Sequence, residues 1–302
     1  MNKKQASIML IPMIILVVLS VFMFLNKIFS GSKDKVYELS GSTSHFFKGR
    51  PKLTAPKIEI QRGETQTINR NAFSLEHSSN WKTAVWVCEL LTAKQLKGDI
   101  EREDRFGPDP KIEKGKRAES KDYTDSGFDR GQLAPAGDYT LDAARKKETF
   151  FLSNMVPQRR EFKRGIWKSI EDYTRRLVEK YGELWVITGV LFLDESEEAG
   201  TGNGRITIQR IGPNRVAVPT HFYKVIIRRT SSGPKALTLV VRNRDYDDPP
   251  YRLDKLVESV DWVEERAGVD FMPELTREQE GETETAPAKV WWSYKGGLHW
   301  PE

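Results

Sequence analysis

The sequence predicts an α+β fold built on a mainly antiparallel sheet, preceded by one N-terminal transmembrane helix. Several β-like apolar segments are mixed with two amphipathic helical patterns, without the regular strand–helix alternation of a parallel sheet. The chain has 302 residues, 38% of them hydrophobic and 30% charged, which is enough for a sizeable buried core. A single uncharged apolar run of 18 residues, Ile8 to Leu25, stands near the N-terminus, and no second such run follows.

That run, IMLIPMIILVVLSVFMFL, is just long enough to cross a hydrocarbon core as a helix. Lys3 and Lys4 precede it, and Lys27, Lys33 and Lys35 follow it. It exits through Asn26, Lys27, Ile28 and Phe29, without the small-residue cleavage step of a secretory signal. Residues 1–30 therefore read as an uncleaved membrane anchor, whose nearly balanced flanking charge leaves its orientation open. Residues 31–75, rich in Gly, Ser, Thr, Pro and Lys, read as a linker.

Beyond the linker, TAVWVCELL (83–91) has the composition of a buried strand, and ETFFLSN (148–154) reads as a shorter one. GELWVITGVLFL (182–193), RVAVPTHFYKVIIRR (215–229) and KALTLVVRN (235–243) extend the series. Between them, Ile166, Ile170, Tyr173 and Leu177 fall at helical spacing. Gly182 stands where such a helix would stop, so a helix is expected over 165–181. A second helix is expected within 252–267, ending at Gly268. The tail, 276–302, is first acidic and polar, then aromatic, and is expected to dock Trp291 and Trp292 on the domain.

Composition excludes several function classes. With 8 Trp, 9 Tyr and 14 Phe, the chain is not disordered as a whole. Cys88 is the only cysteine, so no disulfide framework exists, and its apolar setting reads as a buried structural thiol. There is no glycine-rich phosphate loop. His45, His77 and His299 lack metal-ligand spacing, and His221 in VPTHFYK reads as a buried core histidine, so no zinc site is expected. A net charge of +5 permits a polyanionic partner without requiring one.

The chemistry-bearing stretch begins at Ser126. SGFDRGQLAPAGDY (126–139), ETFFLSNMVPQ (148–158), a basic loop and a helix with Trp167 and Glu171 follow in order. WVITGVLFL, VAVPTHFYKV and AGVDFMPEL come after them. On these motifs, from about Trp81 to Leu275, the chain resembles the DNA/RNA non-specific endonucleases, which include secreted bacterial nucleases and mitochondrial endonuclease G. The resemblance implies a nuclease-like domain over 76–275 and a ββα-metal finger on the antiparallel sheet. It also implies hydrolysis of DNA and RNA without sequence preference, one Mg²⁺ held by a single Asn, and a possible homodimer.

The family's general base is the His of an Asp-Arg-Gly-His motif. Here Asp129, Arg130 and Gly131 match, and Gln132 stands at the base position. Asn154 matches the Asn of the Ser-Asn-x-x-Pro-Gln segment, which supports the site. The metal-binding Asn lies nine residues further on, where this chain has Lys163. Trp167 confirms the register, and Glu171 matches the Glu that steadies the metal's water shell. Arg130 is expected to contact phosphate, as is Arg102 or its near neighbour Arg105 in EREDRFGPDP.

Gln has no titratable group, and loss of a general base costs about 10²–10⁴ in rate. Lys163 sets a cation where Mg²⁺ would bind, so no metal is expected, with Mg²⁺ required only if the site works despite both changes. The alternative for Lys163 and Glu171 is an ion pair with one another. RREFKRGIWK (159–168) holds Arg159, Arg160, Lys163, Arg164 and Lys168 beside the former active site. Backbone contacts by such a run are sequence-independent and weakened by salt. Arg145, Lys146 and Lys147 form a second basic cluster that could extend it.

Three readings follow from these residues. The first is a membrane-anchored, catalytically impaired nuclease relative that binds DNA or RNA backbone. The second is an active nuclease with a remodelled, metal-independent site in which Gln132 positions water. The third is a structural or partner-binding subunit with no nucleic-acid role. The leader lacks the Arg-rich amphipathic pattern of a transit peptide, which favours the extracytoplasmic face of a bacterial membrane over the mitochondrial inner membrane.

Overall fold

The computed structural model describes residues 44–55, 61–101, 105–193, 206–247, 249–285 and 298–299. The apolar run Ile8 to Leu25 lies outside them, as do Arg102, Trp291 and Trp292. Among the described residues no helix is long and apolar enough to cross a membrane.

The strands in chain order are β1 (Lys52–Leu53), β2 (Thr65–Asn69), β3 (Ser74–Ser78), β4 (Thr83–Thr92), β5 (Asp129–Gln132), β6 (Met155–Gln158), β7 (Glu183–Leu191) and β8 (Arg210–Ile211). They continue with β9 (Val216–Ala217), β10 (His221–Thr230), β11 (Gly233–Arg242), β12 (Tyr251–Arg252), β13 (Val257–Glu258), β14 (Val269–Asp270) and β15 (Leu298–His299). Four helices matter here: α1 (Ala143–Glu148), α2 (Lys168–Tyr181), α3 (Val260–Ala267) and α4 (Arg277–Thr283).

Seven strands form one sheet in the order β13-β11-β10-β7-β4-β3-β2, with every neighbouring pair antiparallel. The mainly antiparallel α+β architecture expected from the sequence is the one observed. The central strands β4, β7, β10 and β11 are buried along most of their length, which is why they read as continuous apolar runs rather than alternating ones. Their register sets Cys88 beside Ile187, Ile187 beside Val225, and Val225 beside Thr238. Helix α2 packs across β4 and β7 through a face that includes Ile170, Tyr173, Leu177 and Val178. It stops at Gly182, whose φ of +84° suits glycine and whose N–H donates to the Val178 carbonyl at 2.7 Å.

The short antiparallel hairpin β5–β6 stands apart from the main sheet. It rests on its own apolar cluster, in which Tyr123, Leu152, Met155, Ile211, Val216 and Val218 are buried against Phe106 and Phe128. Gly131 is obligatory there, since a Cβ would lie 2.0 Å from the Gln158 side chain.

Several local expectations are corrected. ETFFLSN is not a strand. Asp142 caps α1 by accepting from the Ala144 and Arg145 amides, so that helix runs through Glu148. A 3₁₀ turn, Leu152–Asn154, precedes the strand that begins at Met155, and the apolar spacing reflects burial, not pairing. RVAVPTHFYKVIIRR is two strands, broken around Pro219, which has no N–H to donate to a ladder. The second helix starts only at Val260, because Ser259 caps it by accepting from the Trp262 amide at 3.1 Å. It ends at Gly268, in the left-handed conformation, as expected. Within the stretch read as a linker, β1 pairs with β14 and β2 and β3 complete the sheet, while Phe47 packs on Trp185 at 5.0 Å. The acidic start of the tail is helical, with a capping box between Thr276 and Gln279.

Candidate functional site

After Gln158 the chain makes one helical turn, Arg160–Phe162, then a wider turn, Lys163–Trp167, before α2 begins. Gly165 carries the kink between them, at φ −96° and ψ −106°, and a Cβ there would meet the Tyr251 hydroxyl at 2.6 Å. Phe162 wedges this turn into the core, with ring centroids 5.5 Å from Trp167 and 5.0 Å from Phe222. Lys163 is thereby held beside Asp129 of the β5–β6 hairpin.

Gln132 ends β5 at only 8% exposure. Its Nε2 donates to the Thr149 carbonyl at 3.0 Å and to the Thr149 hydroxyl at 2.9 Å, and its Oε1 accepts from the Ala136 amide at 3.2 Å. The carboxamide is thus engaged by the protein at both ends and ties α1 to the loop after β5. Asn154 is wholly buried and makes a matching clamp. Its Oδ1 accepts from the Ala134 amide, and its Nδ2 donates to the carbonyls of Ala134 and Thr149, each at 2.9 Å.

Lys163 Nζ lies 3.9 Å from Asp129 Oδ2, both side chains being partly exposed. Such a long, solvated pair is worth less than about 1 kcal/mol. Arg130 lies over the Phe106 ring at 4.7 Å, and Arg159 over Phe128 at 4.9 Å. Arg160 and Arg164 are exposed. Lys168 is held by Asp172 at 2.5 Å. The second basic cluster divides: Lys146 is buried and donates to the Ile100 carbonyl, Arg145 faces Asp142 at 3.7 Å, and Lys147 is exposed. Of the two upstream arginines, Arg105 is described and exposed.

Glu171 lies half-buried on α2, and burial pushes its carboxyl up to about 7, Asp138 and Asp172 adding to this and Arg175 and Lys224 opposing it. These neighbours are the residues that reading the sequence missed. Arg175 donates to Asp138 at 2.7 Å and to Asp172 at 2.6 Å. Lys224 donates to the Thr188 hydroxyl at 2.7 Å, and Tyr139 to Glu89 at 2.8 Å, all of them buried. Burial, with Asp138 adding to it, holds Glu89 well above the usual carboxylate range. Two signals were available. Arg175 follows Glu171 by one helical turn, and a Lys or Glu inside an apolar strand is rare unless it has a partner.

The seven-stranded sheet thus carries a separate two-stranded hairpin with a kinked helix and a basic turn after it. The family described as DNA/RNA non-specific endonuclease matches residues 52–278, and the chain belongs to that family. It is 37% identical over 206 residues to "Nuclease EXOG, mitochondrial" of Xenopus laevis, covering 66% of this chain and 56% of that one. It is 34% identical over 214 residues to human "Endonuclease G, mitochondrial", covering 70% and 71% respectively. A solved EndoG/EndoGI complex superposes with a TM-score of 0.65 at 32% identity, covering 72% of this chain and 90% of that chain. The match spans only 56% and 60% of the Xenopus laevis and Danio rerio EXOG relatives.

Nucleases of this family depend on a metal. At the position where the resemblance sets the metal ligand, this chain presents an ammonium facing Asp129, and the neighbouring Gln132 oxygen is engaged by the Ala136 amide. That donor set does not fit Mg²⁺, which takes oxygen ligands in near-ideal octahedral geometry.

Proposed function

We propose that this chain is a membrane-anchored member of its family that binds nucleic-acid backbone and hydrolyses it weakly or not at all. Gln132 carries the proposal: its amide is engaged at both ends by Thr149 and Ala136 and has no group that can take a proton. The ammonium of Lys163 supports it from the metal side. On this reading β5, β6 and the kinked helix are a ββα finger that has given up its metal. Arg130, Arg159, Arg160, Lys163 and Arg164 line the backbone track. Asn154 and Gln132 hold the scaffold, and Glu171 belongs to the buried charge network of α2.

The span Ile8 to Leu25 tethers the domain, and the family likeness favours a homodimer. The named relatives are mitochondrial. This supports the mitochondrial location, while the leader without an Arg-rich amphipathic pattern supports the bacterial extracytoplasmic one.

One observation favours a second reading. A Glu171 carboxyl near 7 has the affinity for protons that a general base needs, so Glu171 could serve a metal-independent hydrolysis. Incubating the full chain with plasmid DNA and with RNA, in Mg²⁺, Mn²⁺ or EDTA, separates the readings. The expected result is intact substrate throughout, with a salt-sensitive gel shift. Cleavage in EDTA that Glu171→Gln abolishes establishes the second reading, and absence of both binding and cleavage leaves a structural subunit.

A further inference from the structure

We propose that Asp261, Glu264 and Glu284 form a calcium site that fastens α4 to α3. The site is built from other elements than the hairpin and the basic turn, and it does not rest on the nuclease reading. Asp261 lies in the first turn of α3, Glu264 one turn further along, and Glu284 caps the C-terminal end of α4. The backbone joins the two helices here, the Asp261 amide donating to the Glu284 carbonyl at 3.2 Å. One carboxylate oxygen from each of the three residues lies within 4.8 Å of the other two. They line an open hollow of about 690 Å³ that also receives Glu265, Asp270 and Glu280. Arg277 is the single cation among the described residues lining it.

Acidic clusters are common on surfaces, but Glu284 sets this one apart. The residue is only 6% exposed, and its Oε1 is buried without a hydrogen-bond partner. A buried carboxylate oxygen lacking a donor is destabilising unless something positive meets it. The donors are all carboxylate oxygens, which select a hard ion over zinc or copper. They come from two separate helices in an irregular arrangement. Calcium accepts such a set and completes its six to eight ligands with water, whereas magnesium demands a near-ideal octahedron.

The test uses the full chain, stripped of divalent ions, with its melting temperature followed as CaCl₂, MgCl₂ or NaCl is added at matched ionic strength. At about a hundredfold excess over Kd, calcium is expected to raise Tm by roughly 5–11 °C, magnesium by much less and sodium not at all. Calorimetric titration is expected to give one calcium per chain. Glu284→Gln and the exposed Asp261→Asn are both expected to abolish the shift while remaining folded in EDTA. An unshifted native chain, a shift retained in both variants, or an equal response to magnesium would overturn the proposal.

Discussion

Replacing Arg159, Arg160 and Arg164 with Ala is expected to flatten the salt dependence of DNA binding, and the structure sets the size of the effect. Lys168 is tied to Asp172 and Lys146 is buried against a backbone carbonyl, so neither counts as a phosphate contact. Arg130, Arg159, Arg160, Lys163 and Arg164 remain. Each duplex phosphate neutralised contributes about −0.9 to the slope of log K against log salt, so five contacts give about −4.5. Between 50 and 200 mM salt the native chain then loses roughly 500-fold in affinity. The triple variant keeps Arg130 and Lys163, with a slope of about −1.8 and a loss of roughly 12-fold over the same range. Fluorescence anisotropy with a labelled duplex across that range reads both slopes. The three side chains are exposed, so Tm should move by no more than about 2 °C, which controls for folding. A triple variant with the native slope would refute the assignment of the basic turn as the backbone contact.

Two further outcomes test the site's supports. Asn154→Ala removes three hydrogen bonds and strands the buried amide and carbonyl of Ala134, so it is expected to cost about 3 kcal/mol, read as a Tm lower by roughly 6–12 °C. A Tm within error of the native chain would contradict the clamp. Glu171 has a folded value near 7, above its unfolded value, so its share of stability is complete below about pH 4.5 and is lost as pH rises through 7. Glu171→Gln is therefore expected to gain Tm relative to the native chain between pH 5 and pH 8. A difference between the two chains that is the same at both pH values would show that Glu171 does not titrate there.

The long central strands were legible because burial along most of their length leaves uninterrupted apolar runs, and α2 because Ile166, Ile170, Tyr173 and Leu177 mark one helical face closed by Gly182. The last two strands at one end of the sheet were not. TQTIN and SLEHS are mostly polar, and only the pairing of β3 with β4 and of β2 with β3 reveals that they belong to the sheet. Family motifs located Gln132, Asn154, Lys163 and Glu171, but their hydrogen-bond partners depend on how α1 and the hairpin meet. Nothing in the chain order of Gln132 and Thr149 announces that contact. Arg175 with Asp138, and Glu284 with Asp261, are likewise pairs made by tertiary packing across long stretches of sequence.

The central claim is that two substitutions, Gln132 and Lys163, silence an otherwise intact nuclease scaffold. It is tested most directly by plasmid nicking with the native chain, Gln132→His, Lys163→Asn and the double variant, each with Mg²⁺ and with EDTA. An imidazole at 132 keeps an N–H donor toward Thr149, and an Asn at 163 supplies a neutral oxygen ligand in place of an ammonium. The native chain and both single variants are expected to leave the plasmid intact. The double variant is expected to nick it only with Mg²⁺, at least about 100-fold above the native chain. Nicking by the native chain as fast as by the double variant, or a double variant that folds with native Tm and stays inactive in Mg²⁺, would contradict the account.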